Sequence, residues 1–298
     1  MFQLRQLQAV DLPRVSEVFA EAFGVSPAPP LEYFTNLAYS DPEGCVVGVE
    51  DGEIVAYAIS HTNGQIGYIG NLAVAKAQRG KGYGRAVTNS VREHLSPLCS
   101  IVGLAVESSV GRNLELYTSI GFETILPSVL VYKRLDPERP RVPARTIRSA
   151  AQLGTDAEAA IRDIASWSGE IYPGLDFTHD LELFLTKYPE QLWIDSVDGA
   201  VRGFLAYEDS FRGDPFGAVR PGSQDTSTLA NLVRAVETGV DGEHLFFHFH
   251  GSCRRIGAVL RDECGYRIAC HRTSMLLEGQ AEAWNQTSDK LLLRPWWT

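Results

Sequence analysis

The chain has 298 residues, 44% hydrophobic and 21% charged. This balance excludes collagen-like, fibrous and wholly disordered proteins and leaves room for two soluble domains. A net charge of −10 would repel a phosphate backbone, so no nucleic acid is expected as a partner. The part up to Arg139 holds 11 basic against 15 acidic side chains and the rest 16 against 22, so neither part is a basic module.

The opening MFQLRQLQAVDLPRV has no continuous apolar run and reads as neither a signal peptide nor a membrane anchor. Residues 11–23 then place Leu12, Val15, Val18, Phe19, Ala22 and Phe23 on one helical face, with Asp11 positioned to cap the first turn. GVSPAPP breaks that helix, and LEYFTNLAYS reads as a short second one. CVVGVE and IVAYAIS flank Asp51-Gly52, a pair suited to the positive φ angles of a tight hairpin, and YIGNLAV supplies a third strand. A glycine-rich turn runs into the amphipathic stretch ending VREHL, followed by the strand IVGLAV. GRNLELYTSIGF gives a further short helix stopped at Gly121, and strands around Pro127 close the module.

Residues 136–145, DPERPRVPAR, hold three prolines without apolar periodicity and read as a linker. The second half then repeats the first. Leu4-Arg5 corresponds to Ile147-Arg148 at an offset of 143, Asp51-Gly52 to Asp198-Gly199 at 147, and Gly121-Phe122 to Gly265-Tyr266 at 144. The expected division is a module over 1–135, the linker, a second copy over 146–279 and a tail over 280–298. Five scattered cysteines, Cys45, Cys99, Cys253, Cys264 and Cys270, include no CxxC pair, so reduced thiols and a cytoplasmic protein are expected.

The sharpest chemical signal is Arg79-Gly-Lys-Gly-Tyr-Gly84 with Arg85 behind it, placed between a strand and a helix. Glycines at 80, 82 and 84 allow close backbone approach. The helix start offers unpaired amides and partial positive charge, and Lys81 and Arg85 add more, so the turn suits a pyrophosphate. It lacks the GxxxxGK[ST] spacing of nucleotide hydrolases.

At these residues the chain resembles the GNAT superfamily of acyl-CoA-dependent N-acyltransferases. Arg79, Gly82 and Gly84 match the fixed positions of its [RQ]xxGx[GA] signature, and NLAV before and LYTSIGF after match two further segments. The resemblance implies an α+β fold of two tandem domains, each a mixed, mostly antiparallel sheet flanked by helices. It implies that Leu72, Ala73 and Val74 hold the pantetheine arm and acyl carbonyl, that Arg79, Gly80, Lys81, Gly82, Tyr83, Gly84 and Arg85 hold the pyrophosphate, and that Tyr117 protonates the departing thiolate. Acetyl-CoA is the donor expected on this basis, an amine the acceptor, and no metal is required.

The sequence departs from the family at two places. An asparagine often found seven residues before the tyrosine is Val110 here, with Asn113 offered as a substitute contact to the cofactor. The fourth strand, Tyr68-Ile-Gly70-Asn-Leu, lacks the carboxylate that many relatives use as a base, which leaves Glu107 and His61 as substitutes. Tyr33, Phe34 and Tyr39 fall where the acceptor would be expected, although such aromatics serve equally as core.

In the second half, Arg220-Pro-Gly-Ser-Gln-Asp225 aligns with the glycine turn but carries Ser223 and Asp225 in place of Gly82 and Gly84, and Arg261 stands in place of Tyr117. This copy is expected not to bind CoA productively. His244, His248 and His250 share one strand face, as a metal site or as hydrogen-bonded histidines. WSGEIYPGLDF lies where an acceptor-side loop would be, and Trp296 and Trp297 suggest a docking tail. The leading reading is an N-acetyltransferase acting on a primary amine in a ternary complex. Its alternatives are a protein acetyltransferase acting on lysine or an N-terminal amine, and a non-catalytic acyl-CoA sensor. Pairing of copies into a homodimer is left open.

Overall fold

The computed structural model describes residues 1–107, 111–136, 138, 145–208, 215–222, 226–240, 242–284 and 290–293. They form two compact units. The first comprises Met1–Thr124 with Met275–Gln280, and the second comprises Ile125–Ser274 with the described residues from Ala281 on. The first unit therefore ends ahead of the proline-rich stretch, most of which, residue 137 and residues 139–144, lies outside the described residues.

The first unit contains, in order, β1 (Phe2–Gln6), α1 (Leu12–Phe23), α2 (Leu31–Leu37), β2 (Val46–Glu50), β3 (Glu53–Asn63), β4 (Ile66–Val74), α3 (Tyr83–Leu95), β5 (Ile101–Glu107), α4 (Gly111–Thr118) and β6 (Phe122–Thr124). Strands pair in the order β1-β2-β3-β4-β5; only β4 and β5 are parallel. Asp51 (φ 50°) and Gly52 (φ 88°) make the β2–β3 turn with two positive φ angles, as expected for Asp-Gly.

β3 is buried on both alternating faces, so helices cover the sheet on both sides. Phe34 meets Tyr57 edge-on at 6.0 Å on one of them. Val87, Val91 and Leu95 supply the buried stripe of α3. Asp11 occupies the N-cap position of α1 but does not cap it with its side chain. Its carboxylate instead accepts from Gln8 N–H (2.8 Å) and binds the Arg5 guanidinium through both oxygens (2.6 and 2.8 Å), which holds it below the usual carboxylate range.

The second unit contains β7 (Ser128–Arg134), β8 (Ile147–Ser149), α5 (Ala150–Leu153), α6 (Ala157–Ile171), α7 (Thr178–Lys187), β9 (Leu192–Val197), β10 (Ala200–Ala206), β11 (Phe216–Val219), α8 (Thr226–Gly239), β12 (His244–His250), α9 (Arg254–Ala258), β13 (Arg267–Leu277), α10 (Ala281–Trp284) and β14 (Leu292–Leu293). The last residues of β13, Met275–Leu277, belong to the first unit, where they pair with β6. One sheet runs β14-β11-β10-β9-β8, and β7 lies between β12 and β13.

From β8 to β13 the element order follows that of the first unit with α5 added, and Asp198 (φ 51°) and Gly199 (φ 82°) repeat the positive-φ turn. The backbone register corrects one alignment. Arg220 N–H bonds Arg202 C=O at 2.8 Å just as Ala75 N–H bonds Val55 C=O at 2.8 Å, each one residue past its strand. Arg220 thus occupies the place of Ala75 rather than that of Arg79. Its guanidinium faces Asp163 at 3.5 Å.

WSGEIYPGLDF is anchored in the core by part of its residues, while Gly169, Glu170, Pro173, Gly174 and Asp176 are exposed. Trp167, Ile171, Leu175 and Phe177 are buried, and the first two lie on α6.

Four of the five cysteines are buried and Cys270 is exposed. Burial pushes the thiols of Cys45 and Cys99 up to about 12 and that of Cys264 up to about 11, which suppresses the reactive thiolate. A disulfide reagent at pH 8 should therefore titrate one thiol quickly in the native protein and all five after denaturation. Two or more fast thiols would contradict the buried placement.

Candidate active site

β4 and β5 run parallel for only three registered pairs, Ile66↔Ile101, Gly67↔Val102 and Tyr68↔Gly103. Beyond Tyr68 no further β4–β5 pair is formed among the described residues, although both strands continue to Val74 and Glu107. The β5-facing edge of β4 from Ile69 onward therefore presents backbone donors and acceptors to a gap rather than to a neighbour. Leu72 and Val74 are half-buried there, with Ala73 buried between them.

At the far end of that edge, Gly80 (φ 85°) and Gly82 (φ 84°) take left-handed conformations, and a Cβ on either would meet nothing within 4 Å. Glycine is needed here for its backbone angle, and the space above it is open. Gly82 is the N-cap of α3, whose first backbone bond runs from Ala86 N–H to Gly82 C=O at 3.1 Å. The amides of Tyr83, Gly84 and Arg85 precede that bond and point out of the helix start. A Cβ on Gly84 would touch Val74 (3.5 Å) and Leu116 (3.7 Å), so this position lets the helix start sit against both β4 and α4.

The cations of the turn are held in place. Arg79 donates to Ala22 C=O (3.0 Å) and Val74 C=O (3.3 Å), tying the turn to the end of α1 and to β4. Lys81 pairs with Glu50 at 3.0 Å; the Tyr83 hydroxyl also donates to Glu50, and its ring stacks on Phe2 at 4.1 Å. These donors hold the Glu50 carboxyl below its ordinary range, and the same contact raises the Tyr83 phenol to about 12. Arg85 reaches Ser119 Oγ at 2.7 Å, and Arg92 donates to Ile120 C=O at 2.8 Å, so α3 grips the end of α4.

α4 has no fully buried residue. Tyr117 and Asn113 are both half-buried on it, and Tyr117 meets Phe122 edge-on at 6.3 Å. Burial raises the Tyr117 phenol to about 12. Val110 lies outside the described residues.

A feature missed in the sequence sits on β4 itself. Asn71 has φ 52°, at the point where the β3–β4 register shifts between Tyr57 and Ile59. Its Oδ1 accepts from the Tyr57 hydroxyl (2.5 Å) and its Nδ2 donates to the Tyr33 hydroxyl (2.8 Å). This bulge joins α2 to the splayed edge. Of the three aromatics expected near the acceptor, Tyr33 is thus brought to β4 and Tyr39 is 41% exposed. Phe34 is fully buried against Phe19, Tyr33 and Tyr57, and is a core residue with no surface to offer an acceptor.

His61 is buried, with Nδ1 2.9 Å from Ser40 Oγ and 3.3 Å from Leu37 C=O, whereas Glu107 is exposed at the end of β5.

In the second unit the corresponding edge is filled. Leu292 and Leu293 pair with Ala218 and Gly217 of β11, and Val219 N–H bonds Leu291 C=O at 2.9 Å. Leu291 and Leu293 pack in the same buried cluster as Val219, Phe247 and Leu260. Ser223, Asp225, Trp296 and Trp297 lie outside the described residues. Arg261 is exposed and paired with Asp262 at 2.7 Å.

On β12, His248 bonds Ser128 Oγ at 2.8 Å and His250 bonds Ser252 Oγ at 2.6 Å, whereas His244 is exposed. Burial lowers the His250 imidazole to about 4. No group of three His, Cys, Asp or Glu able to hold a metal occurs among the described residues.

The first unit thus combines a mixed sheet with one splayed parallel pair and a glycine-led helix start at the mouth of the splay. Residues 12–122 match the family model described as "Acetyltransferase (GNAT) family". Residues 12–122 are thus similar to a GNAT acetyltransferase domain.

The fold is similar to that of a Pyrococcus horikoshii protein assigned as an acetyltransferase, with 16% identity over 94% of this chain and 90% of that one, at a TM-score of 0.72. It is similar to a GCN5-related N-acetyltransferase from Sphaerobacter thermophilus, with 17% identity, 92% and 95% coverage and a TM-score of 0.61. It is also similar to N-myristoyltransferase from Saccharomyces cerevisiae with bound myristoyl-CoA, with 9% identity, 93% and 82% coverage and a TM-score of 0.64. No curated protein matches the sequence. No helix among the described residues is long and apolar enough to cross a membrane.

Proposed function

We propose that the protein transfers an acetyl group from acetyl-CoA to a primary amine by direct attack in a ternary complex, at a single site in the first unit. The observation that carries this reading is the unpaired edge of β4. It leads from the glycine turn at Gly80–Gly84 down to Tyr68 and is flanked by the helix that bears Tyr117.

The amides at the start of α3, with Lys81 and Arg85, would hold the pyrophosphate. Leu72, Ala73 and Val74 would bond the pantetheine amides and the thioester carbonyl as a neighbouring strand does, with Asn113 beside the arm. The amine nitrogen attacks the carbonyl carbon and the C–S bond breaks. Tyr117 gives its proton to the sulfur, so free CoA leaves as the thiol. The nitrogen sheds one proton, and the phenolate, a strong base in a site that raises its pKa to about 12, takes one up again through solvent. Protons balance over the cycle without a carboxylate on β4. In the second unit, β14 occupies the equivalent edge, which supports a copy without a CoA site of its own.

Incubation with acetyl-CoA and a panel of amines, followed with a thiol reagent, tests the reading. Release of CoA that depends on one class of amine is the expected result. Tight binding of acetyl-CoA without release across the whole panel would contradict it.

A further inference from the structure

We infer that Tyr68 closes the inner end of the acyl slot and restricts the donor to short acyl chains; the inference rests on reading the β4 edge as the acyl-CoA site. The phosphates belong at the start of α3, beyond the C-terminal end of β4, so the pantetheine arm runs back along β4 toward its N-terminal end. From Val74 to Ile69, with the bulge at Asn71, β4 runs alongside Ala56 to Ser60 of β3, four residue steps or about 13 Å at roughly 3.3 Å per residue. That length seats the arm and leaves the acyl group pointing to where β4 and β5 rejoin.

The last backbone pair at that junction is Tyr68↔Gly103. Two residues further along β5, Ala105 N–H donates to the Tyr68 hydroxyl at 3.1 Å. The phenol therefore spans from β4 to β5 on the open side of the last pair, and Tyr68 is only 2% exposed. Gly103 has no side chain and Ala105 only a methyl, so between these three residues the bulk across the junction comes from the tyrosine ring. Swinging the ring aside would leave the Ala105 amide without this partner, which disfavours an opening to admit a longer chain. An acetyl methyl ends before the ring, whereas a chain of several carbons runs into it.

Calorimetric titration of the full chain with CoA, acetyl-CoA and octanoyl-CoA, in the absence of amine, tests this. The wild type should bind octanoyl-CoA at least about tenfold more weakly than acetyl-CoA. Tyr68→Phe should keep that preference because the ring remains, and Tyr68→Ala should cut it to about threefold or less. Should Tyr68→Ala fail to bind CoA itself, Tyr68→Leu, which keeps an apolar side chain of smaller reach, serves for the same comparison. Equal binding of acetyl- and octanoyl-CoA by the wild type, or an undiminished preference in the truncated variant that binds CoA, would overturn the inference. Failure of CoA to bind the wild type would instead refute the acyl-CoA site on which it rests.

Discussion

Replacing Tyr117 by phenylalanine is expected to lower kcat by about 10²-fold or more, the usual scale for losing a positioned general acid. The dissociation constant for acetyl-CoA should stay within about threefold, because the change removes one oxygen from a half-buried ring and leaves the ring itself. The pH dependence has a definite sign. Burial raises the phenol to about 12, so the proton stays on as pH rises past 10, where an ordinary tyrosine would lose it. The alkaline limb assigned to this group should therefore lie near pH 12, and phenylalanine should abolish it. Stopped-flow measurement of thiol release across this range checks both points. Unchanged turnover in Tyr117→Phe with a good acceptor would remove the residue from the chemistry.

Gly82→Glu should abolish binding of acetyl-CoA. The backbone at φ 84° costs a side-chain-bearing residue about 1–2 kcal/mol, and the carboxylate would stand at the N-cap of α3, where the pyrophosphate charge would gather. The α3 core stripe of Val87, Val91 and Leu95 is untouched, so the chain should still fold. Thermal unfolding with and without acetyl-CoA provides the readout, with stabilisation by the ligand expected in the wild type and lost in the variant. Retained stabilisation would place the ligand elsewhere.

The features legible in the sequence are those that local chemistry dictates. Asp51-Gly52 forms the positive-φ turn because those residue types tolerate it, and Gly80 and Gly82 mark left-handed positions for the same reason. Tertiary pairing, by contrast, hides its own signals. β1 is an edge strand with no fully buried residue, so FQLRQ carries no apolar alternation. Asn71 reads as an ordinary strand residue, and only the shifted register of β3 against β4 turns it into a bulge that bonds Tyr33 and Tyr57.

Chain order leaves Phe34 open as acceptor-side or core, and burial assigns it to the core, as it does Trp167, Ile171, Leu175 and Phe177 of WSGEIYPGLDF. The role of Leu292 and Leu293 depends on the edge of β11, which lies more than seventy residues earlier in sequence. Arg220 illustrates the same limit, since matching it to Arg79 by residue type misses the backbone bond to Arg202 that puts it in the place of Ala75.

The central claim is that one acyl-CoA site exists, on the open edge of β4, while β14 fills the equivalent edge of β11. The stoichiometry of acetyl-CoA binding to the full chain by calorimetric titration tests it most directly. One equivalent per chain is the predicted result, and two equivalents, or none, would contradict it.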